Sequence, residues 1–191
     1  MSDLFDRRPI PVAVAGPNGA GKTTFHDAHH RAAGLRFVNA DDIARTLVID
    51  SYAAGEAARE VRRALVEERE SFVFETVLSD PAGGKVAFLS AAAGLGYAVV
   101  LCYIGLDSAE RSVERVAMRV LQGGHDVPDA KLRARYRQSL WDLARAVRGL
   151  PHVVVYENSD LAHPFREVAR FEPGKAVSVA TPAPRWLPRV R

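Results

Sequence analysis

The chain of 191 residues contains a single cysteine, Cys102. One thiol excludes an internal disulfide framework and fits a reducing compartment. It sits within the apolar run from Ala98 to Ile104, as a core residue would. Long hydrophobic runs are also missing. No stretch approaches the roughly 20 apolar residues of a membrane span. The first residues, Met-Ser-Asp-Leu-Phe-Asp-Arg-Arg, lack the apolar centre of a secretory signal. These absences lead us to expect a soluble cytoplasmic protein with no membrane partner.

A strong charge of one sign is absent too. The formal net charge is +3, from 26 basic and 23 acidic residues. The surplus lies in the tail, where Arg185, Arg189 and Arg191 stand without an acid; the remaining chain is balanced. A balanced body lacks the broad basic footprint of a nucleic-acid binder, so nucleic acid is not an expected partner. The tail carries Pro182, Pro184 and Pro188 and reads as a loose or docked extension rather than a binding arm. With no repeat and no internal linker, a single domain over residues 1–191 is expected, with a core at about 10–160 and a C-terminal extension at about 161–191.

Against these absences stands one dense motif. Gly16, Pro17, Asn18, Gly19, Ala20, Gly21, Lys22 and Thr23 match the phosphate-binding pattern G-x-x-x-x-G-K-[ST] at every fixed position, and Thr24 follows. An apolar run, Ile10 to Ala15, precedes it and a helical pattern follows, which is the context the motif requires. Its glycines let backbone N–H groups point inward at one anion, and the next helix adds its positive end. Lys22 is then placed for the terminal phosphates, and the Thr23 hydroxyl for Mg²⁺. The expected ligand is ATP or a similar triphosphate.

Strand-like runs alternate with helical patterns along the chain. Strands are expected at Ile10–Ala15, Arg36–Asn39, Ser71–Glu75, Tyr97–Ile104 and His152–Tyr156. Helices are expected at Lys22–Ala33, Asp41 to about Val48, Ala54–Arg69, Lys85–Ala93, Ser108–Leu121 and Asp129–Arg148. The pattern implies an α/β three-layer sandwich with a mostly parallel five-stranded sheet covered on both sides. Phe165–Phe171 and Ala176–Ala180 flank Pro173-Gly174, as in a closing hairpin.

In such a sheet ligands sit beyond the carboxyl ends of the strands. The residues there are the motif itself, Asn39-Ala-Asp41-Asp42, Glu75-Thr76, Asp107 and Glu157-Asn158-Ser159. Asp41 and Asp42 open a helix, so one is expected to cap it. The other is free to accept a proton from an attacking hydroxyl. Glu75 is placed either to hold a Mg²⁺-bound water or to bond a substrate hydroxyl. Asp107 with Glu110 makes a capping-box pattern. The helix it opens has an apolar stripe, Val113, Val116, Ala117 and Val120, opposite Arg111, Arg115 and Arg119. Next comes Gln122-Gly-Gly-His125-Asp-Val-Pro128, a flexible then rigid segment suited to a hinged lid. At least one of Arg115, Arg119, Arg133 and Arg135 is expected to close over the phosphates. His26 and His30 share a helix face, but no third ligand stands at a metal-binding spacing, so zinc is not expected.

Together these motifs resemble the zeta-toxin family of P-loop kinases, in its compact bacterial branch. The resemblance rests on Gly16 to Thr24, Val38-Asn-Ala-Asp-Asp-Ile43, Phe74-Glu-Thr-Val-Leu-Ser79, Arg119 through Gly123-Gly-His-Asp-Val-Pro128, Arg135-Tyr-Arg-Gln-Ser-Leu140 and Tyr156-Glu-Asn-Ser159. It implies an ATP- and Mg²⁺-dependent kinase with strand order 2-3-1-4-5. Zeta toxins phosphorylate the 3′-hydroxyl of UDP-N-acetylglucosamine, so the resemblance implies a sugar-nucleotide acceptor and an antitoxin partner. It makes Asp41 the base, puts Glu75 and Thr76 at the substrate, and sets Arg115 and Arg119 among the phosphate-contacting arginines. Asp80 stands where the family more usually has Gly, and Glu157 where it has Asp. His125 lies near the place of a second lid arginine and joins the substrate candidates.

Two other readings follow from the residues. A transporter-type ATPase would need a Leu-Ser-Gly-Gly-Gln signature, and Leu78-Ser-Asp-Pro-Ala-Gly-Gly84 breaks it and comes too early. A kinase of another small hydroxyl compound or nucleotide, or a non-catalytic ATP-binding switch, would use the same loop.

Overall fold

Three strands are apolar through their middles, and this decides their position. β1 (Pro11–Ala15), β4 (Val100–Gly105) and β5 (His152–Glu157) are buried along almost their whole length. Apolar residues on both faces of a strand require cover on both sides. The computed structural model, which describes residues 8–123 and 126–189, supplies that cover.

The other strands are β2 (Arg36–Val38), β3 (Phe72–Thr76), β6 (Arg166–Glu172) and β7 (Lys175–Val179). The helices are α1 (Lys22–His29), α2 (Ala40–Leu47), α3 (Ser51–Glu67), α4 (Gly84–Gly94), α5 (Ala109–Leu121) and α6 (Asp129–Gly149). Strand order is β2-β3-β1-β4-β5-β6-β7. The first five strands pair in parallel, in the order 2-3-1-4-5. Among the described residues the sheet is seven-stranded and mixed, not five-stranded. The expected hairpin forms, but it does not close the fold from outside. β6 pairs antiparallel to β5, and β7 to β6. The physical reason lies on β6, where Val168, Ala169 and Phe171 are buried and extend the core past β5.

Each central strand divides its side chains between two cores. Ala13, Ala15, Leu101, Tyr103, Val153 and Val155 face one side, packed by Leu65 of α3, Leu89 of α4 and Leu143 of α6. Val12, Val14, Cys102, Ile104, Val154 and Tyr156 face the other, where Phe25 of α1 packs. Each fully buried Leu, Val or Phe stabilises the fold by about 1.5–3 kcal/mol relative to its exposed state. Cys102 is buried as expected, and burial pushes its thiol up to about 12.

Several ends differ from expectation for local reasons. α3 begins at Ser51 rather than Ala54, because the Asp50 carboxylate accepts from the Tyr52 and Ala53 N–H groups. β4 begins at Val100 rather than Tyr97. Tyr97 is tied to the helices, its N–H donating to Ala92 and its hydroxyl to Val66. α5 is capped by Ser108, whose Oγ accepts from Arg111 N, so Asp107 is not the cap. Asp107 instead pairs with the Arg111 guanidinium.

The tail is docked. Trp186 lies against Gly105 at the end of β4, and a Cβ at Gly105 would come within 2.1 Å of the indole. Leu187 is buried beside it. The Trp186 indole N–H donates to Glu157 Oε2 at 2.8 Å.

Candidate active site

β1 ends where the chain must turn sharply to start α1. Gly16 has φ +145, and a Cβ there would meet the Ile104 carbonyl at 2.1 Å. Only glycine fits. The loop is braced from three sides. Ser112 Oγ donates to Asn18 O at 2.6 Å, and Asn158 Nδ2 donates to Ala20 O at 2.8 Å. Arg115 donates to the Ser159 carbonyl at 3.0 Å and reaches the Gly19 carbonyl at 3.5 Å. With carbonyls tied outward, the loop's N–H groups are left for an anion.

Lys22 opens α1 and is 7% exposed. Its Nζ donates to Pro17 O at 3.1 Å and stands 3.7 Å from Glu75 Oε1. Burial holds the ammonium below its ordinary value, while Glu75 and then Asp41 pull it back up. Glu75, at the end of β3, is the hub. Its Oε2 accepts from Thr23 Oγ1 at 2.7 Å and from Asn39 Nδ2 at 3.2 Å. Of the two roles open for Glu75, this geometry favours the metal side, because its closest partner is the hydroxyl expected to ligate Mg²⁺. Mg²⁺ takes hard oxygen donors and keeps phosphate oxygens and waters as its remaining ligands. Thr23 Oγ1 with the Glu75 carboxylate fits that chemistry. Among the described residues no cluster of three His, Cys, Asp or Glu side chains is arranged for a metal.

Asn39 changes the reading of the two aspartates. It is the N-cap of α2, its Oδ1 accepting from Asp41 N at 2.8 Å. Neither Asp41 nor Asp42 caps, contrary to expectation. Asp42 pairs with Arg45. Asp41 faces a cleft of about 1020 Å³, which is also lined by Lys22, Glu75, Thr76 and Arg119. Thr76 is buried, and its Oγ1 accepts from Leu78 N at 3.2 Å.

The arginines separate. Arg119 lines this cleft and its charge acts on Lys22. Arg115 lines a neighbouring cleft of about 790 Å³ with Asp107, Met118 and Leu161. Arg135 lines the main cleft, whereas Arg133 is paired with Glu110 and Asp129. Asp126, Val127 and Pro128 also reach the main cleft, while Gly124 and His125 lie outside the described residues. Glu157 joins the tail to the site. Its Oε1 accepts from Ser159 N at 2.9 Å, and the Ser159 carbonyl receives Arg115.

The sequence reading names the loop and the acids but misses their supports. Asn39 and Asn158 stand in segments already singled out at strand ends, which is the available signal. Ser112 gives none, since a lone serine inside a helix looks like any other.

Comparison with known proteins agrees with this architecture. No curated protein matches the sequence. Among solved structures, the AvrRxo1-ORF1:AvrRxo1-ORF2 complex with sulphate ions superposes with a TM-score of 0.69 at 18% identity, covering 93% of this chain and 62% of that one. The same complex with ATP gives 0.69 at 18%, covering 96% and 66%. The chain thus spans less than two thirds of the length of those proteins. The PezAT chromosomal toxin-antitoxin system of Streptococcus pneumoniae gives 0.55 at 16%, covering 80% and 69%. At such identities the likeness is one of fold, a P-loop kinase-like fold with a central sheet flanked by helices. No helix among the described residues is long and apolar enough to cross a membrane. The family model of the AAA domain, AAA_33, matches residues 12–141, and the chain belongs to that family.

Proposed function

We propose that this protein is an ATP- and Mg²⁺-dependent kinase of the zeta-toxin type. It transfers the γ-phosphate of ATP to a hydroxyl of a sugar nucleotide such as UDP-N-acetylglucosamine. One observation carries the reading: the Asp41 side chain opens onto the same cleft as Lys22, uncommitted to capping because Asn39 does that work. The solved AvrRxo1-ORF1:-ORF2 complex with ATP, similar in fold, supports the choice of nucleotide.

In this reading the loop from Gly16 to Thr24 cradles the triphosphate, and Lys22 neutralises its outer phosphates. Asp41 accepts the proton of the attacking hydroxyl at its carboxylate as that oxygen bonds the γ-phosphorus and the bond from the γ-phosphorus to the β–γ bridging oxygen breaks, releasing ADP. Thr23 and Glu75 would hold Mg²⁺, which would supply neutralisation of phosphate charge. Thr76 orients the acceptor, and His125 contributes to acceptor binding. Arg119 stabilises charge gathering on the leaving phosphate. Arg115 acts one step back, fixing Gly19 and the Ser159 loop. The site works in the cytoplasm as a single domain, and a protein antitoxin is its macromolecular partner. Two of the solved structures support that partner, since one is a complex of ORF1 with ORF2 and the other belongs to a toxin-antitoxin system.

The test is a screen of nucleotide sugars with γ-labelled ATP, comparing the wild-type protein with Lys22→Ala and Asp41→Ala. Labelled product is expected from the wild type alone. Asp41→Ala should still bind ATP. Full transfer by that variant would overturn the assignment of the base, and no labelled product with any acceptor would favour a non-catalytic switch.

A further inference from the structure

The main cleft holds two separate groups of charge. Around Lys22 are Glu75, Asp41 and Arg119. The second group surrounds Lys85, at the start of α4, and comprises Asp80, Arg62, Asp142 and Arg135. Arg62, Lys85, Arg135 and Asp80 all line the cleft wall.

Arg62 is the unusual member. It projects from α3 and is only 8% exposed. Its guanidinium carbon lies 5.0 Å from the Phe74 ring centre and 5.8 Å from that of Phe88. The two rings, whose centres are 6.1 Å apart, pack against one side of it, and the residue also lines the cleft. Among the described residues, Arg62 forms no ion pair. Glu56 and Glu60 on the same helix pair with Arg59, and Glu60 also with Arg63. Lys85 and Arg135 likewise form no ion pair among the described residues. The nearby acids are engaged elsewhere. Asp80 accepts from Ala82 N and Gly84 N, each at 3.0 Å, and Asp142 accepts from Gln138 and Arg145. A mostly covered guanidinium that forms no ion pair, with Glu56, the acid that acts on it, held by Arg59, gains from an anion that reaches it in the cleft. Burial also lowers the Lys85 ammonium and the Arg62 guanidinium from their ordinary values.

We propose that Arg62, Lys85 and Arg135 form a second anion subsite that takes the phosphate or diphosphate group of the acceptor. The inference rests on the transfer reading for the word acceptor, but not for the existence of the site. Three cations around one stretch of wall suit a multiply charged anion better than a single carboxylate. The site would therefore select an alcohol that already carries phosphate, with the reacting hydroxyl directed back toward Asp41.

Binding tests the subsite without relying on turnover. The protein is first saturated with Mg²⁺ and a non-hydrolysable ATP analogue, so that the Gly16–Thr24 loop is filled. Inorganic pyrophosphate is then titrated calorimetrically into the wild type, Arg62→Gln and Lys85→Gln. Saturable binding to the wild type and at least a tenfold weaker affinity in both variants is expected. Lys85 is only partly buried, so Lys85→Gln keeps the test meaningful if Arg62→Gln fails to fold. No binding to the wild type, or equal binding in wild type and Lys85→Gln, overturns the subsite. Failure of phosphoryl transfer with retained, Lys85-dependent pyrophosphate binding would overturn the kinase reading alone.

Discussion

Thr23 Oγ1 donates a 2.7 Å hydrogen bond to Glu75 Oε2, joining the first turn of α1 to the end of β3. The register of two neighbouring parallel strands makes this contact possible, since Ala15 on β1 pairs with Thr76 on β3. The hydroxyl and the carboxylate are 52 residues apart in sequence.

The first prediction concerns that pair. Glu75→Gln keeps the shape and removes the charge that orients Thr23. The apparent Mg²⁺ affinity in the transfer reaction should weaken by about 10- to 100-fold, as for other groups that orient a metal ligand. A Mg²⁺ titration of initial rates checks it. An unchanged midpoint would return Glu75 to the substrate side.

Asp41→Asn should lower the transfer rate by roughly 10²–10⁴-fold, the usual span for a general base. ATP affinity should change little, because the triphosphate is held by the loop. Rate measurements at saturating ATP, together with a fluorescent-nucleotide binding assay, separate the two effects.

The tail should contribute to stability. Trp186→Ala removes the indole from Gly105 and its N–H from Glu157. For a partly buried tryptophan a loss of about 2–3 kcal/mol is expected. In a domain of this size that lowers Tm by roughly 5–10 °C. A thermal melt checks the figure. A shift under about 1 °C would mean the docking adds nothing to stability.

His30 predicts a pH dependence. Burial, with the neighbouring His26 and His29 charges, lowers it from 6.5 to about 4. The folded state therefore binds this proton less readily than the unfolded chain. Its contribution to stability is fully present above pH 6.5 and is lost as pH falls toward 4. The span corresponds to about 3 kcal/mol. Urea midpoints at pH 7 and pH 4.5 should fall further for the wild type than for His30→Phe. Equal falls would show that His30 does not titrate in this way.

Much of this is legible in the sequence because it is local. Gly16 to Thr23 has its meaning in consecutive residues, and the runs around β1, β4 and β5 need only their own apolar content to be recognised as buried strands. The parallel order comes from the resemblance and agrees with the pairing found. What escapes is set by contacts between distant segments. Sequence assigns the cap of α2 to Asp41 or Asp42, because aspartate is favoured there, yet Asn39 takes it while also reaching Glu75. The four arginines look alike as letters. Packing sends Arg115 to the outer side of the loop, Arg133 to Glu110, and Arg119 and Arg135 to the cleft.

The sequence by itself determined that a phosphate-binding loop follows a buried strand, since a spacing of glycines and one lysine can build that loop almost regardless of what surrounds it. Only the tertiary structure decided that the hairpin would lengthen the sheet, that the tail would lie on Gly105, and that Arg62 would pack against two phenylalanines with no carboxylate paired to it among the described residues. Those outcomes depend on which side chains meet across tens of residues, and packing complementarity of that kind is a property of the assembled surfaces rather than of any one segment.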